Sequence, residues 1–281
     1  MSLLVAGSLH LDVVVRAPRL PEIDETLPGH SVEYVFGGKG GNQAVAAARM
    51  GADVHFAGCA GNDRFGDMLR DSLQRAGPDL SQLQTDEGPS GMSTAIVDDQ
   101  GDYGAVIVTG ANARMDAEAV TVPPAASLVL LQNELPESVN LTIARKARAA
   151  GVPVWLNAAP ARPLCDDLRA LVDLLIVNRV EAAFYAESSG ATDVLRTLGA
   201  EGVEYKGIIY PAFVTDVVST HGAGDMFVGA LAARIDAGAG IKEALAFAQG
   251  AASLHVSARG QARDALDHLQ VDAFLAAQSR R

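Results

Sequence analysis

The chain opens on Leu3-Leu4-Val5-Ala6-Gly7, an apolar run with no polar residue at alternate positions. Runs of this kind suit strands covered on both faces, as in a parallel sheet. Similar runs recur at 53–58, 127–131, 152–157 and 174–178, and helical stretches stand at 67–76, 136–150 and 164–171. This alternation predicts an α/β fold of three layers, α/β/α, with a central, mostly parallel sheet. Sites in such sheets gather at the carboxyl ends of the strands. Asn157, Asn178, Glu134 and the Gly7-Ser8 turn fall at such ends.

Other strand signals do not alternate with helices. Val13-Val14-Val15 and Ser31-Val32-Glu33-Tyr34-Val35 flank a Pro-rich turn at 18–28, and 94–108 reads as a hairpin turning at 98–102. They predict a small separate sheet from about 12–36 and 92–109. With no repeat, low-complexity tract or clear linker, residues 1–281 read as a single domain carrying that sheet.

Two Gly-rich turns run directly into apolar helices. In His221-Gly222-Ala223-Gly224-Asp225 the helix spans roughly 225–237. Its first N–H groups are unpaired and the positive end of its dipole faces the turn, which favours an anion. Asp225 is either an ordinary N-cap or a base beside that anion site. In Phe36-Gly37-Gly38-Lys39-Gly40-Gly41-Asn42-Gln43 the glycines imply close backbone approach, and an Ala-rich helix over 43–50 stops at Gly51. Lys39 and Asn42 at its mouth can donate hydrogen bonds to a polyhydroxylated ligand.

Composition narrows the choices. Apolar residues make up 49% of the chain and aromatics only 5%, so the core rests on Ala, Val and Leu. A net charge of −12 argues against a nucleic-acid binder. No apolar run approaches the roughly 20 residues needed to cross a bilayer. The first eight residues do not read as a signal peptide, and Cys59 and Cys165 read as free thiols in a reducing cytoplasm. There is no GxxxxGK[ST] loop, no GxGxxG after the first strand, and no zinc-ligand cluster.

The two turns together resemble the signatures of the ribokinase (PfkB) family of carbohydrate kinases, and the likeness covers nearly the whole chain. It implies a ribokinase-like fold whose small sheet is a β-lid over the sugar and often a dimer contact. It implies a sugar pocket from Asp12, His10, Gly38, Lys39, Asn42 and Glu134, with Asp225 as the base. Amides of Gly222, Ala223 and Gly224 would stabilise charge on the transferring oxygens. Asn178-Arg179-Val180-Glu181 matches the family's Asn-x-x-Glu motif, which organises Mg²⁺ and phosphates, and 197–202 resembles its phosphate turn, carrying Thr197, Gly199 and Gly202. The reaction implied is transfer of the ATP γ-phosphoryl group to a primary hydroxyl of a sugar, D-ribose in the favoured reading. The partners implied are a small sugar and ATP, with neither nucleic acid nor membrane, and a homodimer formed through lid residues such as Val13, Val15 and Val106.

Three departures bear on that expectation. His10 stands where the family usually has Asn, which leaves the sugar open. Ser219 replaces the Asp that commonly helps bind an activating monovalent cation, so K⁺ dependence is expected to be weak or absent. The stretch 178–220 is short, with a helix missing between Tyr185 and Val194 and a trimmed hairpin after Gly202, which puts nucleotide affinity at risk. The alternatives are a family kinase for a nucleoside, fructose or a keto-deoxy sugar acid, or a non-catalytic sugar- or nucleotide-binding relative. A sugar acid calls for extra Arg or Lys near the lid, which here is acidic. A binder has no need of the base.

Overall fold

The computed structural model describes residues 1–185 and 192–279, the Gln261 side chain excepted. The chain runs β1 (Ser2–Ala6), β2 (His10–Arg16), β3 (Ser31–Gly37), α1 (Lys39–Arg49), β4 (Val54–Gly61), α2 (Arg64–Ala76) and β5 (Asp79–Asp86). It continues β6 (Met92–Val97), β7 (Tyr103–Val108), β8 (Ala126–Gln132), α3 (Glu137–Ala149), β9 (Val154–Asn157), α4 (Asp166–Leu171), β10 (Leu174–Asn178) and α5 (Arg179–Tyr185). It ends β11 (Asp193–Thr197), β12 (Val203–Tyr205), β13 (Ile208–Tyr210), α6 (Ala223–Asp236), α7 (Ile241–Ser257), α8 (Gln261–Asp264) and α9 (His268–Gln278).

Among the described residues, nine strands form one sheet in the order β13-β12-β11-β10-β9-β8-β1-β4-β5. Its pairings are parallel from β11 through β5, and the β11–β12 and β12–β13 pairings at its end are antiparallel. The two faces of β1 explain its unbroken apolar run. Leu3 and Val5 join the core under α1, α6 and α7, whereas Leu4 and Ala6 join the core under α3 and α4. Leu3, Leu4 and Val5 are 0% exposed. Each such side chain contributes roughly 1.5–3 kcal/mol of transfer free energy. The shortage of aromatics has a structural counterpart, because α1 and α6 touch. A Cβ at Gly229 would lie 2.6 Å from the Ala46 Cβ.

The second sheet has four strands in the order β3-β2-β6-β7, with β2 and β6 parallel. β2 leaves the end of β1 and β3 returns into α1, so this flap hangs over the carboxyl edge of the large sheet. β1 is also where the order reverses, since the chain builds β4 and β5 to one side and β8 to β11 to the other. Ligands bind in α/β sheets at such a switch point.

Several elements differ from the sequence expectation. α1 starts at Lys39 rather than at residue 43, and α6 at Ala223 rather than at 225. β5 was not anticipated because Asp79-Leu80-Ser81-Gln82-Leu83-Gln84-Thr85-Asp86 is mostly polar, as an edge strand can be. α7 and α9 also lacked a sequence expectation. The hairpin after Gly202 is indeed short, three residues per strand. The missing helix expected between Tyr185 and Val194 concerns 186–191, which lie outside the described residues.

Candidate active site

Gly38 decides how the flap joins the large sheet. It has φ +90°, and a Cβ there would lie 2.7 to 2.8 Å from backbone atoms of Ser8, Leu9 and His10. A Cβ at Gly40 would lie 2.4 Å from the Gly7 carbonyl carbon. The glycines of this turn therefore approach the protein's own Gly7–His10 loop. Two further side chains secure that junction. Asn112 accepts from the Leu9 N–H at 2.8 Å and donates to the Leu9 carbonyl at 2.8 Å. Glu134 accepts from Ser8 Oγ at 2.5 Å and from the Lys39 N–H at 2.8 Å, with His10 Nδ1 4.0 Å away. Glu134 thus holds the mouth of α1 onto β1. His10 is 5% exposed and its Nε2 is buried without a partner.

Asp225 occupies the third position of α6, not the N-cap, which is Gly222 in a left-handed conformation at φ +73°. Its carboxylate points away from its own helix. It accepts from Gln43 Nε2 at 2.9 Å and Asn42 Nδ2 at 3.2 Å. Gln43, itself fully buried, is set by Gln132 Nε2, which donates to Gln43 Oε1 at 2.9 Å. Burial pushes the Asp225 carboxyl above the usual aspartate range. Lys39 and the two amide donors oppose that rise, and Glu134 adds to it. Ionised, this group is a stronger base than an exposed aspartate.

The amides at the start of α6 differ. Ala223 N–H donates to the Thr220 carbonyl at 3.2 Å. Those of Gly222 and Gly224 find no acceptor among the described residues, and no atom lies within 4 Å of a Cβ built on Gly224. These two, rather than Ala223, are free to meet an anion.

Asp12 lies on β2, with Ser93 of β6 donating to its Oδ1 at 2.5 Å, so two flap strands present one carboxylate. Asn178 and Glu181 form a capping box on α5. Asn178 Oδ1 accepts from the Glu181 N–H at 2.9 Å, and Glu181 Oε2 accepts from the Asn178 N–H at 2.8 Å. Burial raises the Glu181 carboxyl, while the Asn178 amide and the Lys39 charge pull it down. The Lys39 ammonium therefore acts on both Asp225 and Glu181. Thr197 pairs with Asn178 across β10 and β11, and Gly199 and Gly202 follow it with φ of +62° and +105°.

Sequence reasoning placed the Gly7-Ser8 turn at a strand end but missed the roles of Gln43, Gln132 and Ser93. Gln43 carried a signal: it is a polar residue in an otherwise Ala-rich helix face, beside Asn42.

An α/β sheet with a flap, a buried carboxylate and free helix amides at its switch point defines a group-transfer enzyme with an anionic donor. The profile of the pfkB family carbohydrate kinase matches residues 2–268. The ribokinase of Bacillus subtilis is 34% identical over 272 residues, covering 91% of this chain and 93% of that protein. The ribokinase of Haemophilus influenzae is 32% identical over 285 residues, covering 92% and 93%. The structure of Arabidopsis thaliana ribokinase complexed with ribose and ATP superposes with a TM-score of 0.89 at 30% identity, covering 98% of both chains. A nucleoside kinase of Methanocaldococcus jannaschii, 18% identical with a TM-score of 0.86, shares the fold. The chain belongs to the pfkB family of carbohydrate kinases.

Proposed function

We propose that this chain is a ribokinase, transferring the γ-phosphoryl group of ATP to the primary hydroxyl of D-ribose. The observation that carries the reading is Asp225, a buried carboxylate held by Asn42 and Gln43 beside the free amides of Gly222 and Gly224. Asp225 takes the hydroxyl proton as the oxygen attacks phosphorus. The two amides offset charge on the transferring oxygens. Asp12, with His10, Gly38, Lys39 and the face around Glu134, binds and orients the sugar. Asn42 serves it through Asp225. Asn178, Thr197, Gly199 and Gly202 border the phosphates. The ribokinases at 32% and 34% identity support ribose as acceptor.

Mg²⁺ fits one position. Glu181 keeps one carboxylate oxygen without a hydrogen-bond donor among the described residues. No group of three or more His, Cys, Asp or Glu there could hold a metal alone. One carboxylate suits an ion that keeps its waters and binds phosphates. Bound so, Mg²⁺ would neutralise phosphate charge.

A cytoplasmic location is supported by the free thiols of Cys59 and Cys165. No helix among the described residues is long and apolar enough to cross a membrane. A homodimer through the flap is supported by β7, exposed along its whole length. A second reading, another sugar as acceptor, is favoured by His10, whose buried, unpartnered Nε2 belongs to the same strand as Asp12, two residues before it.

The test is Mg-ATP-dependent ADP release with D-ribose, against fructose, nucleosides and keto-deoxygluconate. Turnover on ribose that collapses in Asp225→Asn supports the proposal. Turnover on another acceptor moves the substrate and keeps the base. Sugar binding without turnover on any acceptor rejects the enzyme.

A further inference from the structure

The turn entering α6 is held from behind by the end of α7 and the segment after it. Val256 O accepts from both the Val218 and Ser219 amides, at 2.8 and 3.1 Å. Arg263 Nη2 reaches the Ser219 carbonyl at 3.5 Å. His255 Nε2 lies 3.0 Å from the His221 carbonyl. A carbonyl only accepts, so Nε2 carries the proton and Nδ1 is the bare nitrogen. The ring is 9% exposed, and its Nδ1, like Arg263 Nε, is buried without a partner. A Cβ at Gly222 would lie 3.2 Å from His255 Nε2, so the ring packs directly under the left-handed residue that turns the chain into α6. Burial holds the imidazole below the usual histidine range, which keeps it the neutral single donor this geometry needs.

We propose that His255 and Arg263 are positioning residues for phosphoryl transfer. By fixing the His221 carbonyl, whose peptide plane carries the Gly222 N–H, and the Ser219 carbonyl two residues before it, they aim the Gly222 amide at the transferring group. This rests on the kinase reading of Asp225. It also means that these two carbonyls are met by the protein's own donors and leave a monovalent cation little to bind. The sign of the effect is set by geometry. A peptide plane pinned at its carbonyl cannot rotate the next amide out of line, so losing the pin lowers the rate of the chemical step without weakening sugar binding.

The experiment compares wild type, His255→Leu, His255→Gln and Arg263→Met as full chains. It reads kcat and KM for ribose with K⁺ present or replaced by choline, together with hydrogen–deuterium exchange over 218–226. The expectation for His255→Leu is a kcat about 10-fold to 100-fold lower with KM for ribose within about twofold, and faster exchange in that segment. His255→Gln, which can still donate, should recover most of the rate. Wild type should run equally in K⁺ and choline, and Arg263→Met should be slowed and gain a response to K⁺. A kcat in folded His255→Leu within twofold of wild type overturns the proposal, as does strong K⁺ activation of wild type. If wild type turns over no acceptor, the kinase reading fails separately. The exchange data still decide whether His255 holds the turn, and unchanged exchange in His255→Leu rejects it.

Discussion

At the scale of single residues, Asp225 as the proposed base should set the pH behaviour. Its carboxyl is raised by burial and restrained by Lys39, so the base is lost as pH falls through a value above the ordinary 3.8. The acid limb of kcat/KM should therefore lie above that of an exposed aspartate. Lys39→Met removes a charge that lowers the value, so the limb should move to higher pH; a limb that stays or falls would show that Lys39 does not act on Asp225. Asp225→Asn should cost about 10²–10⁴ in kcat. The same raised value has a stability sign. A group whose folded pKa lies above its unfolded one stabilises at low pH, and that contribution fades as pH rises through the folded value. Wild type should thus lose thermal stability relative to Asp225→Asn on going from acid to neutral pH. Parallel Tm profiles would refute it. The Asp225 and Lys39 motifs were legible because each is a Gly-rich turn running into a helix. Gln43 showed only as a polar residue in an Ala-rich helix, and Gln132 not at all, since their roles exist only once β8 and α1 meet. The Asn178 and Glu181 pair was legible in two ways, and its spacing also spells the capping box the structure contains.

At the scale of elements, two glycines that look alike in the sequence separate in the structure. Gly38 joins β3 to α1 at positive φ against the Gly7–His10 loop, whereas Gly224 lies inside α6 with open space where a Cβ would go. Gly38→Ala should destabilise the protein by about 1–3 kcal/mol, because strain at that φ adds to backbone contact. Gly224→Ala should leave stability within about 1 kcal/mol, since Ala favours a helix, while its methyl crowds the anion position and lowers kcat. Urea unfolding and steady-state rates on the pair check this. Equal stability loss in both would mean that the α6 turn is as tightly packed as the α1 turn. The strands of the large sheet could be read because both their faces are apolar. β5 could not, because an edge strand need satisfy only one neighbour.

At the scale of the whole molecule, the flap is the part least able to stand alone. β7 is its edge strand, and Tyr103, Val106, Ile107 and Val108 are 71%, 69%, 63% and 49% exposed. Tyr34 and Val32 on the opposite edge strand are 53% and 51% exposed. Tyr103-Gly104-Ala105-Val106-Ile107-Val108 carries no charge, proline or bulge, the usual devices that keep an edge from pairing with another chain. The homodimer proposed above would cover this edge with a second copy of the chain, and none of the net charge of −12 lies on this strand. Sedimentation velocity at micromolar concentration should show a dimer, and Val106→Asp with Ile107→Asp should give a folded monomer. Because Asp12 and Ser93 sit on the strands that β7 supports, the monomer should also bind ribose more weakly, with kcat less affected. A wild type that sediments as a monomer would leave β7 exposed for another reason, and a monomeric variant with unchanged ribose KM would uncouple the flap's outer edge from the sugar pocket.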